Sequence, residues 1–263
     1  MTSAVHTLDD NLATRSRTLV DTKAVLLVGG LGTRLRSVVP SAPKPLASVG
    51  NQSFLELLIR QLRSQGLHRL VMCTGYLADQ IEEQLGDGSM WDVNIEYSHE
   101  KTPMGTAGAI KLAEGYLGDG SDFLVMNGDS FVQANFRQLL HFHREHGGLI
   151  SIAAVEVSDA GRYGTLQVGQ GGRVTGFLEK TGRDAPGLIN AGVYVFSPAV
   201  LEHIPEGQVS LERTLFPRLL DHGVYAIKQE GFFIDIGTPE DYDRAQKLCQ
   251  SLEQAASGLG RDQ

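Results

Sequence analysis

The sequence predicts an α/β fold: a Rossmann-like, mostly parallel mixed sheet flanked by helices, with a β-rich part late in the chain. Three observations predict it. Short, wholly apolar runs closed by glycine, such as Ala24-Val25-Leu26-Leu27-Val28 before Gly29-Gly30, read as strands buried on both faces. Amphipathic stretches of helical spacing alternate with such runs as far as Val157. Beyond Tyr163 the pattern changes and β-rich segments take over.

Taken in order, the first strand is Ala24–Val28. A helix follows from Ser53: Ser53 and Glu56 have capping-box spacing, Phe54, Leu55, Leu58, Ile59 and Leu62 form an apolar stripe, and Gly66 stops it. His68–Thr74 is a second apolar strand, closed by Gly75. Ala78–Leu85 reads as a helix, Val93–Tyr97 as a strand and Gly105–Leu117 as a helix. Asp122–Met126 is a buried strand ending in Asn127-Gly128-Asp129. Ala134–His146 is helical, and its His141, His143 and His146 read as surface residues, the first two pointing apart. Leu149–Val157 is a strand. Tyr163–Val168 and Arg173–Glu179 are strands joined by the hairpin signal Gln170-Gly171-Gly172. Strand Ile189–Phe196, helix Leu211–Asp221 and strands Tyr225–Lys228 and Phe232–Ile236 come next. The last helix opens with Thr238-Pro239-Glu240-Asp241, an N-cap, a proline and two acids.

Composition narrows the function. At 263 residues, 41% hydrophobic and 21% charged, the chain has the apolar material for a packed core. Residues 1–22 read as a flexible leader, residues 23–250 as a single domain, and residues 251–263 as a frayed tail. A net charge of −8 without a long basic run argues against a nucleic-acid partner. No apolar stretch reaches the roughly 18 residues that span a bilayer. With two distant cysteines, Cys73 and Cys249, in no metal-type spacing, the expectation is a cytoplasmic protein with reduced thiols. The 31 glycines exceed the average share of about 7%, so their positions matter.

The first glycines stand where open α/β sheets bind ligands, at the carboxyl end of the first strand. Gly29-Gly30-Leu31-Gly32-Thr33-Arg34-Leu35-Arg36 would let backbone N–H groups approach phosphate oxygens without a Cβ in the way. It is not a Walker A loop, because no Lys-Ser/Thr follows its last glycine. It is not the dinucleotide fingerprint either, because Leu35 takes the third glycine's place, which speaks against an oxidoreductase. Arg34 and Arg36 add cations, and Pro43-Lys44-Pro45 holds one lysine in a stiff, extended frame.

These segments, with Pro103-Met104-Gly105-Thr106-Ala107-Gly108, Asn127-Gly128-Asp129, Phe177-Leu178-Glu179-Lys180, Asn190-Ala191-Gly192-Val193-Tyr194 and Asp235-Ile236-Gly237-Thr238-Pro239-Glu240-Asp241-Tyr242, resemble the sugar-1-phosphate nucleotidyltransferases. The motifs keep the family's order over roughly residues 23 to 245. The expected fold carries no C-terminal left-handed β-helix of the kind that some members have. The resemblance implies attack by a sugar phosphate oxygen on the α-phosphorus of a nucleoside triphosphate, with pyrophosphate leaving. Two anions must meet, so the site has to neutralise charge and align the reactants.

The resemblance implies roles for particular residues. Leu27, Gly29, Gly30, Gly32 and Thr33 line the nucleotide with Gly105 and Thr106. Arg34 binds the leaving phosphates, and Lys44 contacts the α-phosphate and the sugar phosphate. Asp129 and Asp235 hold Mg²⁺. Gly128, Glu179, Lys180 and Asn190 form the sugar end. No protein base is required, because the attacking phosphate oxygen is already ionised. The resemblance also implies a homodimer, since short members pair. A catalytically silent nucleotide-sugar sensor is the alternative; the presence of Arg34, Lys44, Asp129 and Asp235 speaks against it.

Glu100 bears on the base. Relatives using pyrimidine nucleotides carry Gln at this place, and an ionised Glu only accepts hydrogen bonds. Guanine offers two adjacent donors, N1–H and the exocyclic amine, so Glu100 favours GTP. The Leu35–Pro45 stretch looks like that of guanylyltransferases for D-glycero-α-D-manno-heptose 1-phosphate, which serve bacterial surface glycans. Mannose 1-phosphate or another hexose 1-phosphate is the alternative sugar.

Overall fold

The computed structural model describes residues 19–118, 120–178 and 185–258. Its elements in chain order are β1 (Lys23–Leu27), β2 (Ser48–Val49), β3 (Gln52–Ser53), α1 (Phe54–Ser64), β4 (Arg69–Thr74), α2 (Ala78–Leu85), β5 (Asn94–His99), α3 (Gly105–Leu112) and α4 (Glu114–Leu117). Then follow β6 (Phe123–Asn127), β7 (Ser130–Val132), α5 (Phe136–His146), β8 (Ile150–Val157), β9 (Thr165–Val168), β10 (Val174–Leu178) and β11 (Gly187–Phe196). The last elements are α6 (Phe216–Leu219), β12 (Val224–Lys228), β13 (Phe233–Asp235), α7 (Pro239–Lys247) and α8 (Cys249–Ala256).

The main sheet runs β10-β9-β11-β6-β1-β4-β5, with β8 beside β11 and β12 beside β8. Strands β6, β1, β4 and β5 are parallel neighbours, and β11 is antiparallel to both β6 and β8. The carboxyl ends of β1, β4, β5 and β6 therefore share one edge, where the site forms. The expected mostly parallel mixed sheet is thus observed, and the β9–β10 hairpin supplies the expected β-rich part.

Burial on both faces explains the wholly apolar strands. Ala24, Leu26 and Val28 pack into one core with α1, while Val25 packs into the other with Ile110 and Phe216. Helix α1 starts as its sequence dictates. Ser53 Oγ accepts from the Glu56 N–H at 3.2 Å, and Glu56 accepts from the Ser53 N–H at 3.0 Å.

Several expectations change. The expected leader contributes its last residues to the fold: Leu19–Asp21 forms a 3₁₀ turn with Leu19 buried in the first core. The expected frayed tail is helical as far as Ala256, because α8 buries Leu252 and Ala256 and packs on α1. Residues 259–263 lie outside the described residues. The expected helix Leu211–Asp221 divides into a π turn (Leu211–Leu215), α6 and a 3₁₀ turn (Leu220–His222). Pro217 has no N–H to donate back along the helix, so a continuous α ladder cannot pass it. Likewise Gly105–Leu117 divides at Ala113, whose ψ is 0°. The expected strand Phe232–Ile236 shortens to β13, and its partner β7 carries no alternation long enough to announce it.

His143 is the clearest correction, since it is buried rather than on the surface. Its Nδ1 lies 3.0 Å from Ser151 Oγ. Burial pushes its pKa down to about 4, against the pull of Asp122 and with the push of Arg144. The folded state therefore binds this proton later than the unfolded chain, whose imidazole titrates near its ordinary value of about 6.5. Stability is full at neutral pH and falls as pH drops through the window from 6.5 toward 4. Relative to a His143→Gln variant, wild type should lose about 2 kcal/mol between pH 7 and pH 4.5. Urea melts of both proteins at the two pH values check this.

Candidate active site

The glycine loop leaves β1 and folds against Lys44. Gly32 has φ +57°, and a Cβ there would lie 3.0 Å from Lys44 Cβ, so only glycine lets the loop close this tightly. Lys44 opens a short 3₁₀ turn (Lys44–Leu46) between its two prolines. Its Nζ donates to Asp129 Oδ2 at 2.6 Å.

Asp129 follows β6 in a tight turn into β7. Strand β13 pairs with β7 so that Asp235 faces Ser130. Ser130 Oγ lies 3.2 Å from Asp129 Oδ1 and 3.3 Å from Asp235 Oδ2, so one hydroxyl bridges the two acids. The Ile236 N–H donates to the Asp129 carbonyl at 3.0 Å, and the Gly237 N–H caps Asp235 Oδ1. Burial, and then the Asp129 charge, raise the Asp235 pKa, while Lys44 and the Gly237 N–H oppose the rise. Two carboxylates and one ammonium thus meet at the ends of strands distant in sequence.

A cavity of about 660 Å³ opens beside this cluster. Leu27, Gly29, Gly30, Gly32, Thr33, Arg34, Lys44, Glu100, Gly105, Thr106 and Asp129 all line it. Glu100 stands on the wall formed by the ends of β4 and β5. Its N–H donates to the Thr74 carbonyl at 2.8 Å, and its Oε2 accepts from the Met104 N–H at 2.7 Å. Burial raises its pKa, and the Met104 N–H opposes that. A Cβ at Gly29 would come within 2.6 Å of Glu100 Oε1, so the bare first glycine makes room for this acid.

The N-terminus of α3 is closed by the chain itself. The N–H groups of Ala107 and Gly108 donate to the Val209 carbonyl at 2.9 and 3.2 Å. Thr106 Oγ1 accepts from the Leu211 N–H at 2.8 Å. Gly105 has φ +70°, and a Cβ there would sit 2.6 Å from the Val209 carbonyl oxygen. A Gly105→Ala variant meets both left-handed strain and a backbone clash. We expect a loss of about 2 kcal/mol, read as a drop of several degrees in the thermal midpoint.

Other expected residues sit elsewhere. Gly128 does not line the cavity: its N–H donates to the Leu27 carbonyl at 3.0 Å, so it stitches β6 to β1. Asp235 lies behind Asp129 rather than on the cavity wall. Asn190 is also off the wall. Its Nδ2 donates to Tyr194 Oη at 2.9 Å and its Oδ1 accepts from the Gly192 N–H at 3.0 Å. Glu179 and Lys180 lie outside the described residues. Tyr76, Lys101, Asn127 and Gln208 line the cavity without having been expected. Tyr76 had a readable signal, since it follows Gly75 at the carboxyl end of a parallel strand. Arg36 stacks on it, with its guanidinium carbon 4.8 Å from the ring centre. Gln208 had none, because a distant loop delivers it.

A family model described as nucleotidyl transferase matches residues 23–251, spanning every motif around this cavity. The chain belongs to this family. A mannose-1-phosphate guanylyltransferase of Mycobacterium tuberculosis (strain ATCC 25618 / H37Rv) is 39% identical over 225 residues, which cover 84% of this chain and 62% of that protein. The mannose-1-phosphate guanylyltransferase catalytic subunit beta of Drosophila pseudoobscura pseudoobscura is 36% identical over 224 residues, covering 84% of this chain and 60% of that one. The chain spans about three fifths of the length of these curated relatives. The crystal structure of HddC from Yersinia pseudotuberculosis complexed with GMP-PN superposes with a TM-score of 0.78 at 34% identity, covering 86% of this chain and 98% of that one. Among the described residues, no helix is long and apolar enough to cross a membrane.

Proposed function

We propose that the protein is a guanylyltransferase that joins GTP to a manno-configured sugar 1-phosphate and releases pyrophosphate. The observation that carries the base assignment is Glu100, held on the cavity wall by the Met104 N–H with its second oxygen turned toward Gly29. An ionised carboxylate there matches the two adjacent donors of guanine. The GMP-PN held by HddC and the guanylyltransferase names of the relatives support the same reading. The heptose assignment rests on the sequence of the Leu35–Pro45 loop; the relatives named for mannose 1-phosphate support that alternative equally.

The chain's own groups then do the following. The glycine loop receives the triphosphate on backbone N–H groups, and Arg34 holds its outer phosphates as pyrophosphate leaves. Lys44 stabilises the charge that spreads over the α-phosphate while the sugar phosphate oxygen bonds to phosphorus and the bond to the β-phosphate oxygen breaks. Asp129 keeps Lys44 aimed, through its 2.6 Å ion pair. Two bridged acids with raised proton affinity at Asp235 suit a divalent cation that takes one or two carboxylates, so Asp129 and Asp235 would hold Mg²⁺. When bound, the ion supplies further neutralisation of phosphate charge.

A substrate panel tests the reading. GTP, ATP, UTP and dTTP are each offered with heptose 1-phosphate or mannose 1-phosphate, and pyrophosphate release is measured. GTP should give the fastest turnover; faster turnover with UTP or dTTP would overturn the base assignment. GTP binding without turnover on any sugar phosphate would favour the sensor.

A further inference from the structure

Behind the base-reading wall lies a side-chain relay that the reaction does not itself use. His99 is the last residue of β5 and pairs in register with Thr74, the last residue of β4. Its Nδ1 lies 2.9 Å from Thr74 Oγ1, and its Nε2 lies 2.8 Å from Glu82 Oε1 on α2. The Glu82 carboxylate faces Nε2 without hydrogen-bond alignment, so the ring's hydrogen bond is the one between Nδ1 and the Thr74 hydroxyl. Thr74 is fully buried, while His99 and Glu82 are partly exposed. The Tyr97 ring stacks alongside His99, and its hydroxyl donates to the Gly86 carbonyl just past α2. One imidazole therefore joins the ends of two strands and lies against a helix.

The relay borders the nucleotide cavity on both of its strand ends. Past Thr74, Gly75 and Tyr76 line the cavity; past His99, Glu100 does. Glu100 stands one residue beyond the last ladder pair, and its backbone is held there by the single N–H bond to the Thr74 carbonyl. Thr74 is thus bonded twice to this turn, by its carbonyl to Glu100 and by its hydroxyl to His99. Two parallel donors on a base edge are read only if the carboxylate lies in their plane, so a small displacement of Glu100 forfeits one bond.

We propose that His99 is a positioning residue for base selection: its bond to Thr74, with Glu82 alongside, holds the β4 and β5 ends so that Glu100 meets both guanine donors at once. The proposal rests on the reading of Glu100 given above. ITP separates the two, because hypoxanthine keeps N1–H and lacks the exocyclic amine. Steady-state kinetics with GTP and ITP are measured for wild type, His99→Ala, Thr74→Val and the double variant, alongside thermal midpoints. Wild type should favour GTP over ITP by about tenfold or more, the worth of one hydrogen bond to a charged group. In His99→Ala the KM for GTP should rise about fivefold, with kcat and the KM for sugar phosphate within twofold. The GTP-to-ITP ratio should shrink to below about threefold, since the lost bond is the one ITP cannot make. Thr74→Val should reproduce this, and the double variant should add nothing further. A merely structural role would lower the midpoint and leave the ratio intact. An unchanged ratio in both single variants, in an enzyme whose wild type favours GTP, overturns the relay. A wild type indifferent to GTP and ITP overturns the Glu100 reading and the relay with it.

Discussion

Replacing Asp129 by Asn should lower kcat by about a thousandfold or more while the protein stays folded. The substitution keeps the side chain's shape and its place beside Ser130. It removes the charge that aims Lys44 from 2.6 Å and half the charge of the acid pair that would hold Mg²⁺. The effect on stability should be small, because two changes oppose each other. The Lys44 ion pair is lost, but the Asp129 charge that raises the Asp235 pKa is lost with it. Pyrophosphate release at saturating substrate, with a thermal melt as control, measures both. Full activity would remove Asp129 from the reacting groups.

Glu100→Gln should lower kcat/KM for GTP by about a hundredfold, with UTP and dTTP falling far less. The Gln amide turns one acceptor into a donor facing a guanine donor, so one bond is replaced by a repulsion. Stability should hold or rise slightly. Burial already raises the Glu100 pKa, which means the fold disfavours its charged form, and Gln carries no charge. The four-nucleotide panel run on this variant gives the answer. An unchanged GTP preference would place the base elsewhere in the cavity.

How much of this was legible depends on how local each signal is. The capping box at Ser53, the apolar strands of the parallel sheet and the hairpin at Gln170-Gly171-Gly172 are local and appear as read. His143 was misread because a helix with three histidines looks polar, and only the approach of β8 buries one of them against Ser151. Strand β7 is three residues long, too short for periodicity to announce it. The helix expected from Leu211 starts there, where the structure shows Ser210 capping it, and loses its continuity to Pro217.

The site divides in the same way. Sequence alone determined the chemistry on offer: bare glycines after β1, one lysine between prolines, and acids after strand ends. These follow from backbone freedom and charge, which belong to each residue wherever it folds. Tertiary structure decided which of them meet. It set Lys44 on Asp129, joined Asp129 to Asp235 through Ser130, and turned Gly128 and Asn190 to inward bonds. It also brought Tyr76 and Gln208 to the cavity and used Val209 to close the end of α3. Those contacts join residues far apart in the chain, and only the register of the sheet and the packing of its two cores fix such distances.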